Sequence, residues 1–152
     1  MLTSLAREQL QSLMPHEGRM CLIDRVVSVS NDSITVVSVI SLTGHPLTCD
    51  DSLSNYVILE YAAQAAALHI SNRKESGFKT GVHVFLAAVK NMNCPVETLR
   101  DGSALTIELC CLTISELGAM YEFKAGVSCW PDNQCMSGRF SLMASNEVDV
   151  TE

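Results

Sequence analysis

Residues 54–72, SNYVILEYAAQAAALHISN, form a run that is apolar on nearly every side of a helix. Val57, Ile58, Leu59, Tyr61, Ala62, Ala63, Ala65, Ala66, Ala67 and Leu68 surround one short polar stripe, Glu60 and Gln64. Residues four apart stack one turn above each other, so these two share a face. A helix apolar all round is buried in a core or a membrane. The run falls short of the ~20 residues that span a bilayer, and Glu60, Gln64 and His69 interrupt it. A core helix is the consistent reading. A carboxylate on such a helix must be paired, protonated or placed on a cavity, because burying it alone is costly. Glu60 is therefore the first candidate for chemistry. Gln64 either orients Glu60, as part of a binding site for the substrate, or packs with its amide satisfied.

Upstream, 3–13 (TSLAREQLQSL) predicts a short amphipathic helix ended by Pro15. Residues 20–30 read as a strand with Ile23, Val27 and Val29 on alternate positions. Asn31-Asp32 is a turn signal, and 33–42 is a second β-branched run, so the pair predicts a hairpin. A polar loop, 43–54, leads into the helix, with Ser52 or Ser54 as its cap. A short polar connector, 74–80, follows. Strand-like runs then occupy 81–89, 104–115, 120–130 and 135–144, and short turns make the last three antiparallel neighbours. A single helix this apolar needs cover, which a strongly curved antiparallel sheet supplies. The expected fold is α+β, one domain over 1–145, with 146–152 a frayed acidic tail.

Composition narrows the function. The chain has 152 residues, 47% of them hydrophobic, and a net charge of −7. This supports a packed globule and opposes general nucleic-acid binding, which leans on a basic surface. No signal peptide is evident at the start. Seven cysteines occur without a CxxC pair. An odd set lying in strand-like runs reads as small buried hydrophobes, and reduced thiols point to the cytoplasm. Metal spacings, Gly-rich phosphate loops and nucleophile elbows do not occur in the sequence.

The segments LMPHEGRMCLIDRVV (13–27), ILEYAAQAAA (58–67) and RDGSALTIEL (100–109) together resemble the hotdog-fold 3-hydroxyacyl-acyl-carrier-protein dehydratases. LEYAAQ is most similar to the branch found in aryl-polyene pigment clusters. The resemblance implies a hotdog fold, a sheet wrapped around a long central helix. It also implies a cofactor-free dehydration of a thioester on acyl carrier protein, and a dimer whose site lies between subunits, His of one chain facing Glu of the other.

That family pairs a helix Glu with a His in a Gly-His-Phe-Pro-Gly loop. Here Glu60 and Gly44-His45 take those places, with His45-Pro46-Leu47 replacing the rest of the loop. His45 is the favoured base and His16, in the opening Pro-His motif, the alternative. The chemistry suits such a pair. A neutral imidazole takes the C2 proton, and a carboxylic acid held protonated protonates the departing hydroxide. Backbone N–H groups near Asn55 and Tyr56, on the first helical turn, are placed to bind the thioester oxygen as it gains charge. His69 and His83 read as structural. Two rival functions remain: a hotdog thioesterase using Glu60 on water or the carbonyl, and a non-catalytic acyl-binding subunit. Docking of an acidic carrier would need a local basic cluster, for which Arg73, Lys74, Lys79, Lys90 and Arg100 are candidates.

Overall fold

The central run is helical over Ile58–Asn72 (α2), entered through a 3-10 turn at Asn55–Val57. Ser54 is the cap, its Oγ accepting from Tyr56 N–H at 3.2 Å. The structure is a computed structural model, and the residues it describes are 1–14, 18–50, 52–73, 83–95 and 98–145. His16, Asp51, Lys74, Lys79 and the 146–152 tail lie outside the described residues.

Six strands form one antiparallel sheet: β1 Arg25–Val29, β2 Ser33–Val39, β3 His83–Asn93, β4 Ala104–Ile114, β5 Gly118–Val127 and β6 Met136–Ser145. Their order is β1-β2-β4-β5-β6-β3. The hairpin adds to the meander through β2 and β4, and β3 pairs with β6, leaving β1 and β3 as edges. This is the α+β hotdog arrangement, with α2 packed on the inner face of β2, β4 and β5.

Period-two patterning explains the inner face. Ile34 and Val36 on β2, Leu105, Ile107 and Leu109 on β4, and Ala119, Tyr121, Phe123 and Ala125 on β5 are buried. Ala62, Ala65 and Ala66 are fully buried against them, small enough to let helix and sheet approach closely. Tyr121 stacks on Phe140 at 5.6 Å between ring centroids, and Phe123 meets Phe140 at 5.9 Å. Such pairs add about 0.5–1.5 kcal/mol beyond their burial.

Two expectations are corrected at the N-terminal end. The helix expected over 3–13 is only Arg7–Gln11 (α1), preceded by a 3-10 turn at Leu2–Ser4. Extended backbone at Leu5 and Ala6 separates the two. In the first strand Val27 is exposed and Val26 buried, the reverse of the expected alternation. The pairing register shifts between Val26 and Ser28. One extra residue at this bulge changes which side chains face inward.

Candidate active site

The loop that carries His45 is built from two successive turns. His45 N–H donates to Leu42 O at 3.2 Å, and Thr48 N–H to His45 O at 3.3 Å. Gly44 takes a left-handed φ of 70° in the first turn, which glycine adopts at little cost. Pro46 follows His45 in the second turn, where its fixed φ is suitable. The loop is tied to the turn before β4, because Asp101 Oδ1 accepts from Leu42 N–H at 2.9 Å.

The imidazole is held at both nitrogens. Nδ1 accepts from Leu47 N–H at 3.1 Å, and Nε2 lies 2.9 Å from the Tyr61 hydroxyl on the first turn of α2. A backbone N–H only donates, so Nδ1 presents its lone pair and the ring proton of neutral His45 sits on Nε2. Nε2–H therefore donates to the Tyr61 oxygen. Burial lowers the His45 pKa below 6.5, which keeps this neutral form in place. To act as a base at Nε2, His45 would have to leave both hydrogen bonds.

Tyr61 is buried, and its pKa is pushed up to about 12, first by burial, then by the Asp24 carboxylate, with Arg7 opposing. Asp24 and Arg7 form an ion pair at 3.6 Å. Asp24 also accepts from Val39 N–H at 2.7 Å, and Arg7 donates to Cys21 O at 2.6 Å. These contacts fix the segment before β1 beside the His45 loop. His45, Tyr61, Asp24 and Arg7 line a pocket of 190 Å³ together with Thr43 and Gly44.

A larger cleft, 700 Å³, opens at the entrance of α2. Leu42, Leu47, Leu53 and Leu99 give it an apolar wall, and Asn55 and Tyr56 line it as well. The His45 loop thus contributes to both spaces. Tyr56 N–H is already engaged by Ser54, and Asn55 donates through its side-chain amide to Pro95 O at 3.1 Å. Glu60 is half-buried on the first turn of α2, directly before Tyr61.

Gln64 faces inward and is fully buried. Its Oε1 accepts from Leu22 N–H at 2.8 Å and its Nε2 donates to Met20 O at 2.5 Å. The amide is satisfied by backbone rather than turned to a ligand space. His69 is buried too, between Ser30 O and the Tyr121 hydroxyl. Tyr61, Asp24 and Arg7 were not singled out from sequence. Tyr61 fits the apolar pattern of its helix, and only the proximity of the His45 loop reveals its hydroxyl.

The profile of the ApeP-like family, described as ApeP dehydratase, matches residues 8–151. The chain belongs to the ApeP-like dehydratase family. Among solved structures, the dehydratase heterocomplex ApeI:P from Xenorhabdus doucetiae is similar with a TM-score of 0.75 and 23% identity, covering 94% of this chain and 93% of that one. Thioesterases share the fold at lower similarity. Thioesterase HI1161 from Haemophilus influenzae gives a TM-score of 0.58 at 15% identity, with 100% of both chains covered. A hypothetical thioesterase with coenzyme A from Streptococcus pneumoniae gives 0.54 at 10% identity, covering 80% and 84%. Comparison with curated proteins gives no match. Among the described residues, no helix is long and apolar enough to cross a membrane.

Proposed function

We propose that this dehydratase-family chain converts a 3-hydroxyacyl thioester, carried on an acyl carrier protein, to the trans-2-enoyl thioester. The setting is aryl-polyene or fatty-acid-like chain extension in the cytoplasm, which suits seven free cysteines. The supporting observation is the hydrogen bond between Tyr61 and His45. It fixes the loop that holds the family's His against the helix that holds its Glu.

In the reaction a proton leaves C2, the C3–O bond breaks, and the departing hydroxide takes a proton to leave as water. With the His45 Nε2 proton turned toward Tyr61, Glu60 replaces the histidine expected as base: its carboxylate takes the C2 proton and, once protonated, gives that proton to the departing hydroxide. The 700 Å³ cleft has the size and apolar wall for an acyl or pantetheine arm, with Asn55 and Tyr56 at its edge. Formation of enoyl absorbance from a 3-hydroxyacyl-carrier substrate supports this reading. Release of free thiol from the same substrate, without enoyl product, would favour the thioesterase alternative that the shared fold permits. Binding with neither product would point to an acyl-binding subunit.

A second subunit belongs to this reading. Edge strand β3 exposes Phe85 and Leu86, and Phe85 pairs in register with exposed Met143. On α2, Leu59, Ala63, Ala67 and Ile70 are only partly covered. An open apolar edge and an incompletely sheathed helix call for a partner surface. A second copy of this chain is the simplest partner, and a related dehydratase subunit is the other.

A further inference from the structure

We propose that Tyr61 is the member of the Tyr61–His45 pair that meets the substrate, its hydroxyl donating a hydrogen bond to the thioester carbonyl oxygen, with His45 as its positioning residue. This deepens the dehydratase reading and rests on it. The argument follows the protons. Leu47 N–H occupies His45 Nδ1, so Nε2–H points at the Tyr61 oxygen. The phenolic proton cannot lie along the same line. Among the described residues Tyr61 has no other hydrogen-bond partner, and it is one of the residues that line the 190 Å³ pocket.

The volume suits the reacting end of a thioester. At about 30 Å³ per water, it accommodates a few heavy atoms, the reacting end of a thioester rather than its chain. The acyl chain has the larger cleft, which Leu42 and Leu47 of the same loop help to line. A neutral phenol, backed by an N–H donor and desolvated, is a strong donor toward an oxygen that gains charge as C2 loses its proton. Burial keeps the phenol protonated across the working pH range. His45 raises the acidity of that O–H by donating to its oxygen, and it aims the ring.

The test compares Tyr61→Phe, His45→Gln and His45→Ala in the full chain, assayed by enoyl formation. Glutamine offers an N–H donor near the Nε2 position and cannot act as a base. Tyr61→Phe should lower kcat by roughly 10²–10³ with KM little changed. His45→Ala should fall comparably, and His45→Gln should recover at least ten-fold of that loss. If His45→Gln is as inactive as His45→Ala while Tyr61→Phe stays near wild type, His45 is itself the base and the proposal is overturned. Nitrogen NMR of the unliganded wild-type protein checks the geometry without any turnover. A neutral His45 carrying its proton on Nε2 supports the pair, and a proton on Nδ1 overturns it. Absence of any enoyl product from wild type would instead overturn the dehydratase reading, leaving the NMR result to decide the pair.

Discussion

Gln64 and Leu22, forty-two residues apart in the chain, are joined by a buried 2.8 Å hydrogen bond from the Leu22 N–H to the Gln64 side-chain oxygen. The same amide donates to Met20 O. Together they clip the segment before β1 to α2. Asp24, two residues on, then sits where it influences Tyr61.

Gln64→Leu keeps most of the volume but strips both partners from backbone groups in a mostly buried place. An unsatisfied buried group costs about 1–3 kcal/mol. The variant should lose about 2–6 kcal/mol, a fall in Tm of roughly 4–24 °C for a chain this size. Calorimetry decides, and an unchanged Tm would show the clip to be dispensable.

A pH dependence of stability follows from His69. Burial, the largest effect, lowers its pKa from 6.5; Arg73 acts in the same direction, and the Ser30 and Asn31 carbonyls and Asp32 oppose. A histidine held neutral in the folded state binds fewer protons than the unfolded chain below pH 6.5, so stability falls as the medium is acidified past that value. Thermal melts between pH 8 and pH 5 should show Tm dropping in the acid range. His69→Gln should flatten that drop. An equally steep drop in the variant would move the effect to other groups, His45 foremost, since its pKa is lowered as well.

Much of this arrangement was readable because long runs carry strong periodicity. The all-apolar 57–68 run predicts a core helix, and alternation along 104–144 predicts a meander. What sequence obscured was local. A single bulge residue, Val27, reverses the phase of β1, and nothing in VVSV marks where the extra residue falls. Tyr61 presents the same difficulty in another form: its ring satisfies the apolar pattern, and its hydroxyl matters only because a loop sixteen residues away returns to it. His45 and Glu60 stood out by residue type. The tautomer that limits His45 depends on the direction of one N–H, that of Leu47.

Carrier docking can be localised further. With a net charge of −7, the chain as a whole would repel an acidic carrier, so the proposed carrier-bound substrate calls for a local cation to guide it. Arg73 is committed to the fold, donating to Asn31 O at 3.0 Å. Arg100 is exposed and directly follows Leu99, which lines the larger cleft. Arg100→Glu should slow a carrier-bound substrate several-fold, more so at low salt, and leave a short pantetheine thioester unaffected. Equal slowing of both substrates would place Arg100 in the chemistry or the fold rather than in docking.

Assembly is open to a direct measurement. Exposed Phe85 on edge strand β3 and its cross-strand neighbour Met143 are placed for a subunit interface. Sedimentation should find a dimer, and Phe85→Lys should shift it toward monomer and reduce activity together. A wild-type chain that is monomeric and fully active at nanomolar concentration would remove the second subunit from the proposal.

Glu60 provides the sharpest test of the chemistry. It follows Leu59 on the first turn of α2 and precedes Tyr61, so a shape-preserving change there should leave the helix and the Tyr61–His45 bond in place. Glu60→Gln retains the side-chain outline and cannot exchange a proton as a carboxyl group does. General acid–base groups contribute typically 10²–10⁴-fold, and turnover of the 3-hydroxyacyl substrate should fall by roughly that factor with Tm within a few degrees of wild type. The double variant Glu60→Gln with Tyr61→Phe then reports on coupling. If Glu60 moves the C2 proton while Tyr61 steadies the carbonyl oxygen in the same transition state, the two losses will not multiply. Activity close to wild type in Glu60→Gln would show that the helix carboxyl is structural, and the dehydration mechanism built on it would have to be abandoned.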